Sequence, residues 1–113
     1  MNIVVLQGAL SSAPVTRQLV SGAVVVSLEL TTPAEGGPAS VPVAWFDPPS
    51  EVTWGPGDQL LVVGTVRRRF FRSGGSTQSR TEVVASEVLP LTRKRQVRAA
   101  LVRAGTGLQA ESA

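Results

Sequence analysis

Arg67, Arg69 and Phe71 alternate along the chain, so in an extended strand all three side chains leave from one face, with Val66, Arg68 and Phe70 on the other. Two guanidinium groups beside a flat ring can hold phosphates and stack an unpaired base. Such a stack contributes about 1–3 kcal/mol per base with little sequence preference, because every base has a π-face. Arg72 and Arg80 flank a Ser73-Gly74-Gly75-Ser76 tip and make the whole arm positive, and for neither does the sequence offer an acid as an obvious partner. The same residues also fit a second description, a solvated hairpin arm whose arginine stems cover apolar surface. Phe46 and Arg17 are further candidates. Val41, Val43 and Trp45 share an apolar strand face and read as core, which leaves Phe46 turned the other way, toward a ligand. Arg17, the one base among residues 1–66, is open to both descriptions.

Other chemistry is hard to assemble from this composition. The chain has 113 residues, enough for one compact domain, and it contains neither His nor Cys. That removes disulfides, thiolate zinc sites, a cysteine nucleophile and the commonest general base and metal ligand. The eight carboxylates are scattered with no pair at useful spacing. The expectation is therefore a non-enzymatic protein with no catalytic residues, metal or cofactor. The net charge of +3 conceals an asymmetry: residues 1–66 carry one base against five acids, whereas residues 67–103 carry ten bases against two. Basic charge concentrated in this way suits a polyanionic partner. The sequence opens Met-Asn-Ile-Val-Val-Leu, without a basic leader or an apolar run long enough to span a bilayer, so a cytoplasmic protein with no membrane partner is expected.

The elements that must position these residues are mostly strands. Runs rich in Val, Leu and Thr, punctuated by Gly and Pro, predict five: 2–10, 23–32, 40–46, 58–72 and 79–91. Hairpin-like connections over this length predict an all-β barrel or small sandwich. Ser50 to Trp54, between the third and fourth strands, is expected to make about one helical turn capped by Ser50. Thr92 to Gly105 has a capping residue, a terminal Gly, and Val97, Ala100, Leu101 and Ala104 at helical spacing, which predicts a basic amphipathic helix over 92–105. Residues 106–113 are small and polar and are expected to be disordered.

Several blocks resemble bacterial single-stranded DNA-binding proteins. Gly8-Ala-Leu-Ser-Ser-Ala-Pro14-Val-Thr-Arg17 followed by Gly22 has the spacing of the family's opening, and Val43 to Phe46, Pro56 to Phe71 and Arg80 to Val88 resemble its third, fourth and fifth strands. The similarity covers residues 1–91 in order. It implies an oligonucleotide-binding (OB) fold over 1–91, a five-stranded barrel with a long hairpin arm between its fourth and fifth strands. By this resemblance Phe71 matches the family's stacking aromatic, Arg67 and Arg69 its phosphate contacts, and Phe46 the aromatic that ends its third strand. Arg17, Arg68, Phe70, Arg72 and Arg80 complete the candidate DNA-binding set. The chain departs from the family at Ser40, where an aromatic is usual, at Pro42, where a base is expected, and in residues 33–39, which hold no ring. It ends in a basic helix where the family has a long linker and an acidic tip that recruits other enzymes.

The resemblance implies sequence-tolerant binding of single-stranded DNA in replication, recombination or repair by a homo-oligomer, a tetramer rather than a dimer, without recruitment through an acidic tip. An alternative is an OB-fold accessory or assembly protein of the primosomal type, acting mainly through protein contacts. The basic tail distinguishes them, since it could dock on a partner, contact phosphates, or be a solvated helix.

Overall fold

Six strands and one helix follow one another in a computed structural model that describes residues 1–112: β1 Val4–Leu10, β2 Val15–Gln18, β3 Val24–Thr32, β4 Ala39–Phe46, β5 Gln59–Ser73, β6 Ser76–Pro90 and α1 Lys94–Ser112. The five expected strands are present with small shifts at their ends. β5 pairs with β1 and β6, β6 with β4, β4 with β3, and β3 returns to β1, so five strands close into a ring. β4 and β6 run parallel and the other pairs are antiparallel. Closure leaves few exposed strand edges, which small all-β domains must manage.

β2 was not expected, because residues 11–22 read as a turn region. It is a four-residue strand, exposed throughout, that pairs with the outer edge of β3. A short polar edge strand buries no face and so leaves no alternation in the sequence. The helical turn expected after Ser50 is also not formed; residues 51–55 are irregular. Six residues between Pro49 and Pro56 cannot offset the cost of helix nucleation. Trp54 instead stacks on Trp45, ring centroids 5.9 Å apart and planes 8° from parallel, while Asp58 Oδ2 accepts a hydrogen bond from the Gly55 backbone N–H at 2.9 Å.

Inside the ring, Leu10, Val26, Leu28, Leu30, Val43, Trp45, Leu60, Val62, Val83, Ala85 and Val88 form the main core. Trp45 belongs to packing, as its strand face indicates. Leu61 and Val63 point outward from β5 yet are buried, because α1 lies over them with Val97, Ala100 and Ala104. The unbroken run Leu60-Leu61-Val62-Val63 reflects a strand covered on both faces. Burial of that second apolar face keeps α1 on the barrel. The helix starts at Lys94, with the Arg93 carbonyl accepting from Val97 N–H, so Thr92 is not its cap. It also continues past Gly105 to Ser112, which corrects the expected stop at Gly105 and the disordered tail; residue 113 lies outside the described residues. A helical Gly costs about 1 kcal/mol relative to Ala, which is a penalty and not a prohibition. An Arg103–Glu87 ion pair and the half-buried Ala104 and Gly107 hold this second half of the helix.

Two glycines permit ring closure. A Cβ on Gly8 would stand 2.5 Å from the Thr31 carbonyl oxygen, where β1 reaches β3, and one on Gly64 would stand 2.1 Å from the Val84 carbonyl oxygen. Gly64 adjoins a β-bulge: Val63 pairs with Glu87 and Gly64 with Ala85, so Ser86 is the extra residue, and its hydroxyl donates to the Val63 carbonyl at 3.0 Å. A one-residue bulge inverts the alternation of everything beyond it. Here it keeps Val83 and Ala85 in the core and turns Glu82, Arg80 and Gln78 outward with Arg67, Arg69 and Phe71.

Candidate nucleic-acid interface

Beyond the bulge β5 and β6 leave the barrel as a two-stranded arm, closed by a two-residue turn in which Gly74 and Gly75 have φ of 59° and 82°. Positive φ at both central residues marks the hairpin turn whose twist matches its strands. That turn fixes the register, setting Arg67 opposite Glu82, Arg69 opposite Arg80 and Phe71 opposite Gln78. Opposed residues share a face.

The outward face of the arm and barrel gathers four candidates into two cation–ring pairs. The Arg67 guanidinium carbon lies 5.4 Å from the Phe46 ring centroid, and that of Arg69 lies 5.2 Å from the Phe71 centroid. Pairs of this kind contribute about 0.5–1 kcal/mol at exposed sites. Arg17 lies opposite Val25, itself opposite Phe46, so the three form one row across β2, β3 and β4 on that face. Arg80 joins it from β6.

Two carboxylates missed in the sequence hold these cations. Buried Glu82 accepts from Arg69 Nε at 2.8 Å through Oε1, and its Oε2 lies 3.7 Å from Arg67. Glu29 accepts from Arg80 at 2.6 Å and from the Ser40 hydroxyl at 3.2 Å. The first partnership was available from the sequence, since a two-residue Gly-Gly turn between Ser73 and Ser76 sets 67 opposite 82. The second was not, because Glu29 is 51 residues from Arg80. Ser27, Glu29, Pro42, Ala44, Arg69 and Arg80 border a shallow groove of about 180 Å³. Pro42, where a base was expected, forms part of its floor.

The remaining candidates lie elsewhere. Arg68, Phe70 and Arg72 alternate onto the opposite face of the arm. Arg68 donates to the Ser79 hydroxyl at 3.0 and 3.2 Å, Arg72 to the Gly75 carbonyl at 3.0 Å, and Phe70 is 68% exposed. The nine candidates therefore divide into an outward set of six and a reverse set of three. The outward face sets four arginines against two glutamates, leaving it net positive. A chain of phosphates running over it would meet guanidiniums fixed in direction by Glu82 and Glu29, with rings at Phe46 and Phe71 between them. Among the described residues no group of three or more acidic side chains could hold a metal ion. No helix there is long and apolar enough to cross a membrane. No protein-family model matches the chain, and no curated protein matches it.

Proposed function

We propose that the chain is a non-enzymatic binder of single-stranded nucleic acid built on an OB-type barrel. Within that class, it is a single-stranded DNA-binding protein of the bacterial kind, serving replication, recombination or repair. The ring order β1-β3-β4-β6-β5 is that of a five-stranded Greek-key barrel, in which the second and third barrel strands and the loops after the first and fourth strands take oligonucleotides. In this chain those are β3 and β4, the segment carrying Arg17, and the Arg67–Arg80 arm. The observation that carries the reading is the paired placement of Arg67 on Phe46 and Arg69 on Phe71 along one outward face. Fluorescence titration with oligo-dT tests it. Binding should be clear at low salt and fall steeply as salt rises, through counterion release from phosphates. No binding at low salt, or binding indifferent to salt, would remove the proposal.

Self-association belongs to the same proposal. Among the described residues, the second edge of β1 pairs with β3 only at Ala9 and Leu10, so most of that edge is open to another strand. Ile3 and Val5 are exposed beside it. A second copy adding through β1 is the assembly these features suit.

A second reading, an OB-fold accessory protein acting through protein contacts, is favoured by one observation. Arg67, Arg69 and Arg80 already have carboxylate partners, which reduces the charge they offer to phosphate. Retained assembly without salt-sensitive oligo-dT binding would select it.

A further inference from the structure

The start of α1 carries charge that the barrel face does not use. Arg93, Lys94, Arg95 and Arg98 are all exposed. Among the described residues none of the four has a carboxylate within ion-pair distance, in contrast to Arg67, Arg69, Arg80 and Arg103. Because the Arg93 carbonyl accepts the first helical hydrogen bond, three consecutive cations crowd the positive end of the helix dipole, with no acid in the first turn. Lys94 and Arg98 are four residues apart and Arg95 and Arg98 three apart, spacings at which like charges repel on a helix surface. Both arrangements oppose helix formation. Violations of local preference that the fold does not compensate tend to sit where an outside partner does.

The partner must be an anion with repeated charges. A lipid surface is less suited to the cluster: Val97, Ala100 and Ala104 are spent on Leu61, Val63, Leu89 and Leu91, and the exposed apolar residues of the helix, Leu101, Val102 and Leu108, all lie beyond Arg98, so residues 93–98 themselves offer no apolar face to insert. A nucleic-acid backbone needs only exposed cations along its path. Arg93 lines a cavity of about 230 Å³ together with Trp54 and the loop that follows Phe46, so the cluster begins beside the end of β4. Along β5, Arg67 and Leu61 are six residues apart, a span of about 20 Å at strand rise.

We infer that Arg93, Lys94, Arg95 and Arg98 form a second phosphate-binding surface, which takes the continuation of a single strand already held at Phe46 and Phe71. The inference rests on the nucleic-acid reading proposed above. It makes α1 an extension of the binding path, where the resembling family has an acidic tip.

The test compares wild type with the fourfold variant Arg93→Gln, Lys94→Gln, Arg95→Gln, Arg98→Gln in the full chain. Gln retains helix propensity and all four positions are exposed, so the barrel should be undisturbed, which circular dichroism checks. Affinities for oligo-dT of about 6 and about 20 nucleotides, one within and one beyond the site sizes of single OB folds, are measured across a salt series. On the longer oligomer the variant should lose up to about 2.8 from the slope of log K against log salt, about 0.7 for each of four phosphates; on the shorter it should match wild type. Equal slopes for variant and wild type on the longer oligomer would overturn the inference and leave the nucleic-acid reading standing. So would equal slopes accompanied by loss of binding to phosphatidylserine vesicles, which would assign the cluster to lipid. Failure of wild type to bind either oligomer would overturn both.

Discussion

The Glu82 carboxylate accepts a hydrogen bond from Arg69 Nε at 2.8 Å, from a position where Glu82 is 6% exposed and Arg69 remains half open to solvent. A buried acid therefore anchors a surface cation. The arrangement orients the guanidinium over Phe71 and also competes with any phosphate for it. Glu82→Gln keeps the shape and removes that competition. Unfolding in urea should show a loss of about 1.5–3 kcal/mol, the range for a hydrogen bond to a charged group. Anisotropy with oligo-dT should show a salt slope steeper by about 0.7, one further phosphate neutralised. A shallower slope would mean that orientation of the arginines outweighs their charge.

Phe71→Ala removes a ring that faces solvent on the arm, so the barrel should keep its stability to within about 0.5 kcal/mol. Affinity for oligo-dT should fall by about 1–3 kcal/mol, one stacked base, with the salt slope nearly unchanged. Phe70→Ala, on the reverse face, is the control. Equal losses from both would show that the two faces of the arm are not distinguished.

Gly64→Ala and Gly105→Ala should change stability in opposite directions. A Cβ at Gly64 meets backbone, the Val84 carbonyl oxygen at 2.1 Å, where no flexible side chain can give way. Overpacking of this sort costs about 1–3 kcal/mol, occasionally more. At Gly105 nothing lies within 4 Å and the residue is inside α1, so Ala should stabilise by about 0.5–1 kcal/mol. Denaturant midpoints at unchanged m-value measure both.

Assembly through the β1 edge would bury Val5, which is 44% exposed in the single chain. Sedimentation should give a multiple of the 11.8 kDa chain mass for wild type and a smaller species for Val5→Lys, with the barrel's circular dichroism retained. A monomeric wild type at tens of micromolar would end the self-association proposal.

Much of this was legible in the residue order because strands alternate. The alternation separates Trp45 from Phe46 and puts Arg67, Arg69 and Phe71 together from residue order alone. Glycine spacing located the arm and its tip. β2 was not legible, since Val15 to Gln18 buries nothing and is held by hydrogen bonds to β3. The irregular path of residues 51–55 was hidden for a related reason: its anchor is the stack of Trp54 on Trp45, a contact between separate segments.

The sequence by itself determined which side chains share a strand face, because that follows from covalent geometry and a period of two. It also determined, through a two-residue turn, that Arg67 stands opposite Glu82. Only the tertiary structure decided which of those faces points where. The Ser86 bulge inverts the alternation of β6, ring closure brings Glu29 to Arg80 across 51 residues, and α1 takes the outward side of Leu61 and Val63. Each of these depends on contacts between distant segments, whose energies no local run of residues records.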